Sequence, residues 1–139
     1  MTRYRKLVSL LAGLVLLAGH VPAAADTAEE SRAVWERHLA AATAGDIDAV
    51  MEDFDEESAI VTTGGILEGP DAIRGFFEEF LAGAPDEANE TVVVNAFVVH
   101  DDVVVFNFTI GAIGRSFHDM AIIRDGRIAI LTTVDYPAE

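Results

Sequence analysis

Asp119 is the residue in this chain best placed for proton chemistry. It lies in Arg115 to Arg124, Arg-Ser-Phe-His-Asp-Met-Ala-Ile-Ile-Arg, a stretch whose composition predicts a strand. Strand alternation sets Phe117, Asp119, Ala121 and Ile123 on one face and His118, Met120 and Ile122 on the other. A carboxyl among apolar neighbours on its own face loses hydration. Its pKa rises toward neutrality, where it can give or accept a proton as a general acid or base. The structural alternative is an Asp119 that accepts from a backbone amide or from an arginine such as Arg74 or Arg115. His38 is the second candidate. It follows Trp35 by three residues, one helical turn, so both can face one cavity. An imidazole there can polarise a carbonyl or exchange protons with Asp119, or it can be a satisfied histidine at the edge of a core.

These residues need elements to hold them. Asp26 and Thr27 precede a helical period through Ala33, Val34, Trp35, His38, Leu39, Ala41 and Ala42, and Gly45 ends it. Asp46 caps a short helix, Ile47 to Phe54. The acids Glu52, Asp53, Asp55, Glu56 and Glu57 read as a solvated face and loop. A strand from Ala59 to Thr63, a Gly64-Gly65 turn and a return over Ile66 to Glu68 form a hairpin. Gly69-Pro70-Asp71 starts a third helix with the buried stripe Ile73, Phe76, Phe77 and Phe80. Four strands follow, Thr91–His100, Asp102–Ala112, Arg115–Arg124 and Arg127–Tyr136, and Asp125-Gly126 is the strongest hairpin signal among their turns. Helices first and strands after predict an α+β fold, a cone-shaped, curved antiparallel sheet wrapped around three N-terminal helices.

The first 25 residues read as a separate segment. Arg3, Arg5 and Lys6 precede an apolar run from Leu7 to Gly19, and Pro22-Ala23-Ala24-Ala25 supplies the small residues of a cleavage site. The run is too short to span a bilayer, so a secretory signal peptide cleaved after Ala25 is expected, with one domain over residues 26–139 in the periplasm or outside the cell. That domain carries six basic residues against 24 acidic ones. So negative a surface repels phosphate backbones and anionic lipid, which argues against nucleic-acid partners and against membrane binding after cleavage. With no cysteine, and with three histidines at no zinc-like spacing outside the leader, no metal or other cofactor is expected. There is also no Gly-rich phosphate loop and no Gly-x-Ser-x-Gly elbow.

The segment Trp35 to Phe77, with its Gly-Asp corner and Gly-Pro-started helix, together with Asp119-Met-Ala-Ile-Ile-Arg-Asp-Gly-Arg-Ile128, resembles the SnoaL-like branch of the nuclear transport factor 2-like superfamily. That group includes ketosteroid isomerase and polyketide cyclases. The resemblance covers Thr27 to Asp135 and implies the cone, also called a cystatin-like roll. It implies that Asp119 occupies the place of the cyclases' acid/base and of the isomerase's protonated oxyanion-hole acid. His38 stands where the isomerase has its oxyanion-hole tyrosine, and Thr62 where it has its basic aspartate. The loss of that base argues against steroid-type isomerisation, since a hydroxyl does not take up an α-proton at neutral pH unaided.

The expected cavity lining is Trp35, His38, Phe54, Val61, Phe76, Phe80, Phe108, Phe117, Asp119 and Ile130, mostly apolar with few polar groups, as small-molecule sites are. Three functions remain open. One is an isomerase, cyclase or hydratase with Asp119 and His38 as its catalytic pair; another is a non-catalytic binder of a small hydrophobic molecule; the last is a structural or assembly module. A homodimer through the outer sheet face is expected, with Val93, Phe97, Val104, Phe106 and Ile122 as its surface.

Overall fold

The computed structural model describes residues 24–138. The expected leader therefore lies outside the described residues, except for Ala24 and Ala25. Helix α1 spans Ala24–Ala44, so Asp26 and Thr27 sit inside its first turn rather than ahead of it. Gly45, at φ +68°, takes the left-handed conformation that closes the helix. Asp46 then accepts from the Ala49 amide at 3.0 Å and caps α2, Ile47–Met51. Strands β1 (Ala59–Thr62) and β2 (Gly65–Glu68) make the short hairpin, and α3, Gly69–Ala82, begins with Pro70 in its first turn, where a missing amide hydrogen costs nothing.

The strands β3 (Val92–His100), β4 (Val103–Ile110), β5 (Arg115–Arg124) and β6 (Arg127–Pro137) complete a six-stranded sheet in the order β2-β1-β6-β5-β4-β3. The fold is the expected α+β cone with one difference. β1 runs parallel to β6, with Ile60 opposite Leu131, so the curved sheet is mixed rather than wholly antiparallel. The remaining pairings are antiparallel. Between β5 and β6, Asp125 and Gly126 have φ of +51° and +70°, the type I′ turn that Asp-Gly favours. That turn pairs Arg124 with Arg127 and puts Asp119 opposite Thr133.

All three helices pack on the concave face. Val34, Trp35, Val50, Phe54, Ile73 and Phe77 from the helical side meet Ile60, Val104, Phe106, Ala121, Ile123, Ile128 and Leu131 from the sheet in one buried cluster. This corrects the expected outer surface. Val104 and Phe106 are buried in the core and Phe97 packs against it, because the parity of β3 and β4 turns them inward. The convex face carries Val93, Val98 and Met120, all exposed, and the half-buried Ile122.

Candidate functional site

The sheet curves away from α3 at one end and leaves a cavity of about 430 Å³. Its inner end is closed by buried Trp35, His38 and Phe77, and its mouth is ringed by exposed Thr63, Glu79, Gly83 and Ile113. Aromatic rings build much of the wall. Phe80 meets Phe117 edge-on at 5.7 Å, Phe117 stacks on Phe108 at 4.8 Å, and Phe76 stacks on Phe80 at 6.4 Å. Helical spacing on α3 and strand alternation on β4 and β5 aim these rings at one space.

Of the expected lining, Trp35, His38, Phe76, Phe80, Phe108, Phe117 and Asp119 reach the cavity. Phe54 does not. It is buried behind the wall, edge-on to His38 at 5.6 Å. Val61 and Ile130 are not in the wall either, while their chain neighbours Thr62 and Leu131 are. The parallel pairing of β1 with β6 puts Ile60 and Leu131 on the concave side, and a shift of one position reverses the face of a strand residue. Thr133 and Asp135, two and four residues beyond Leu131, share its face and also line the cavity.

Asp119 sits half-buried in this wall, with Oδ1 closed off and unpartnered. Burial pushes its carboxyl up from 3.8 to about 7, and the Thr133 hydroxyl opposite it holds the value down somewhat. Neither arginine considered as a partner serves it. Arg74 pairs with Asp48 at 2.9 Å, and Arg115 pairs with Asp135 at the mouth. Asp119 is thus a carboxyl with no cation beside it among the described residues. Near pH 7 a large share of molecules hold it protonated, able to donate to an oxygen in the cavity.

His38 is buried, and its ring is caged by Trp35 at 5.3 Å, Phe54 at 5.6 Å and Phe77 at 5.4 Å. Its Nδ1 stands 3.4 Å from Oδ2 of Asp53. Asp53 departs from expectation. It is 0% exposed rather than part of a solvated acidic face. The Arg37 Nε donates to its Oδ1 at 2.7 Å, with Nη2 at 2.5 Å from the same oxygen. Arg37 Nη2 also donates to the Gly126 carbonyl at 3.2 Å, which ties α1 to the β5–β6 turn. No local signal in the run Glu52 to Glu57 separates Asp53 from its solvated neighbours; the arginine that receives it lies 16 residues upstream. Among the described residues no group of three or more His, Asp or Glu is arranged to hold a metal ion. Trp35 Nε1 is a further buried donor without a partner.

A helix-walled cone open at one end, with the unpaired Asp119 carboxyl and the His38 imidazole in a largely apolar wall, defines a class of small α+β cavity proteins. Residues 35–131 match the SnoaL-like domain, and the chain belongs to that family. Solved structures of the same shape include an NTF2-like protein of unknown function from Burkholderia xenovorans, 19% identical, with a TM-score of 0.63 over 81% of this chain and 86% of that one. A Kribbella flavida protein provisionally named a ketosteroid isomerase is 14% identical, with a TM-score of 0.62 over 81% of this chain and 82% of its own. A de novo designed protein with a curved β-sheet is 17% identical, with a TM-score of 0.65 over 78% and 87%. At such identities the likeness is one of fold, and the designed protein makes the point that this shape does not imply a reaction. No curated protein matches the sequence at a significant level.

Proposed function

We propose that the cavity binds a small hydrophobic molecule bearing a carbonyl or hydroxyl oxygen, and that Asp119 moves a proton on it in a reaction of the isomerase, cyclase or hydratase kind. One observation carries this reading: a carboxyl on the cavity wall with a closed-off, unpartnered oxygen, held up to about 7 by desolvation. A protonated carboxyl in a dry wall hydrogen-bonds a developing negative oxygen without first shedding water. A volume of about 430 Å³ suits a compact molecule of one or two rings better than a long chain. Thr62 in the wall supports a second reading, a non-catalytic binder, because a hydroxyl there supplies no base.

Export and pairing belong to the same proposal. The basic start, the short apolar run and the Ala23-Ala24-Ala25 site support a cleaved leader and a periplasmic or secreted protein. Exposed Val93, Val98, Met120 and Val134 on the convex sheet support a homodimer through that face.

The deciding experiment is mass spectrometry of material carried through purification of the exported protein, repeated with Asp119→Asn. A bound oxygenated ligand that wild type converts and Asp119→Asn binds unchanged supports an enzyme. Equal binding with no conversion by either protein establishes the carrier. Light scattering that gives a monomer at micromolar concentration removes the dimer, and an intact Met1 on membrane-bound material removes the cleaved leader.

A further inference from the structure

His38 and Asp53 form an asymmetric pair beside the cavity. Both Arg37 contacts, Nε at 2.7 Å and Nη2 at 2.5 Å, fall on the same carboxylate oxygen of Asp53, Oδ1. The other oxygen, Oδ2, is closed off from solvent and makes no hydrogen bond of good geometry. The side-chain nitrogen facing it is His38 Nδ1, 3.4 Å away and equally closed off. Asp53 cannot easily turn to change this. Its main-chain carbonyl accepts from the Ile128 amide at 2.8 Å, and Arg37 fixes one of its oxygens from outside. His38 is held just as firmly by the rings of Trp35, Phe54 and Phe77.

A neutral imidazole carries its proton on one nitrogen, and the neighbour of each nitrogen decides which. A carboxylate oxygen beside Nδ1 stabilises a proton there and repels a lone pair. The unprotonated nitrogen is then Nε2, on the edge of the ring away from Asp53, and His38, although only 4% exposed, is part of the cavity wall.

We propose that Asp53 is a positioning residue that keeps His38 in the Nδ1–H form, so that Nε2 meets the ligand as a proton acceptor in the same cavity as the Asp119 carboxyl. The role rests on the reading of Asp119 given above and narrows the ligand class. A molecule that engages both groups offers an acceptor oxygen to Asp119 and a hydroxyl or acidic hydrogen to Nε2, as a compound bearing both a carbonyl and a hydroxyl does and a hydrocarbon or simple ether does not. Arg37 serves Asp53 and not the ligand, since its other donor contact is the Gly126 carbonyl and neither Arg37 nor Gly126 lines the cavity.

The test needs no ligand. Long-range proton–nitrogen NMR on the uniformly ¹⁵N-labelled protein at pH 7.5, with the His38 signals identified by their disappearance in His38→Gln, reports which ring nitrogen carries the proton. The expected result is a protonated Nδ1 and a bare Nε2 in wild type, a loss of that preference in Asp53→Asn, and the wild-type pattern in Arg37→Lys, which keeps a cation on Oδ1 and leaves Oδ2 alone. A proton on Nε2 in wild type overturns the proposal, as does an unchanged pattern in Asp53→Asn. An Asp53 whose role is only to pair with Arg37 would leave the His38 pattern unmoved. If Asp53→Asn does not fold, the wild-type spectrum still decides. Either failure leaves the acid role of Asp119 standing, because that role is judged by its own titration and by conversion of the bound ligand.

Discussion

Asp53 and Asp119 are both carboxyls removed from water, and they have been given opposite surroundings. Asp53 lies under the helices with Arg37 on one oxygen and His38 near the other. Asp119 lies on the sheet among aromatic rings, with a threonine hydroxyl as its nearest help and no cation. Burial alone therefore does not say what an acidic residue is for. The partner decides: Arg37 ties Asp53 into the structure, whereas Asp119, with no cation beside it, is raised toward neutrality and becomes available for chemistry.

The contrast can be broken by taking the partner from the first carboxylate. Arg37→Met leaves a fully buried anion with only a histidine beside it, and this should cost about 3 to 5 kcal/mol in urea unfolding at pH 7. A loss below about 1 kcal/mol would mean that the pair behaves as an exposed one. Asp119→Asn should move stability the other way. The folded-state value of about 7 lies above the ordinary 3.8, so the folded protein holds the Asp119 proton more tightly than the unfolded chain. The destabilisation is absent below about pH 4, grows as pH rises to 7 and is complete above it. Asn removes it, so the variant should gain about 2 to 4 kcal/mol over wild type at pH 8 and nothing at pH 4. A loss at pH 8 would place Asp119 in an ion pair after all.

Asp53→Asn keeps the shape of the first site and frees Arg37, already half in water, to solvate. It should cost about 1 to 3 kcal/mol through weakened charged hydrogen bonds. The smallest effect belongs to Thr133→Val. Removing the hydroxyl that lowers the Asp119 value should raise it further, by less than about one unit, or roughly 1 kcal/mol. Carbon-detected titration of the Asp119 carboxyl reads this directly, and a downward shift would show that the hydroxyl had been helping the neutral form.

Much of this arrangement was legible along the chain. The strand Arg115–Arg124 and the Asp125-Gly126 turn have the bounds expected of them, because a two-residue turn with two positive φ angles and a period-two pattern are local properties. Asp119 among Phe117, Ala121 and Ile123 was legible for the same reason. Val61 and Ile130 went to the wrong face because the register of β1 against β6 is parallel and spans some 70 residues, beyond what alternation within either strand can decide. Phe97, Val104 and Phe106 were misplaced likewise: a strand with apolar residues at both parities does not say which face the helices will cover. Asp53 was hidden in a run of acids that are otherwise solvated.

The chain by itself determined its elements, its turns, its aromatic stripe and the apolar neighbours of one carboxyl, since each depends on residues within a few positions of one another. Tertiary structure alone decided which oxygen meets which partner. Arg37 reaches Asp53 across a helix corner, the sheet closes Trp35 and His38 into the floor of a cavity, and Arg115 is taken up by Asp135 on the neighbouring strand and so leaves Asp119 without a cationic partner. Electrostatic energy falls with distance through space and not along the chain, and so the roles of two chemically identical aspartates were set only when the fold fixed those distances.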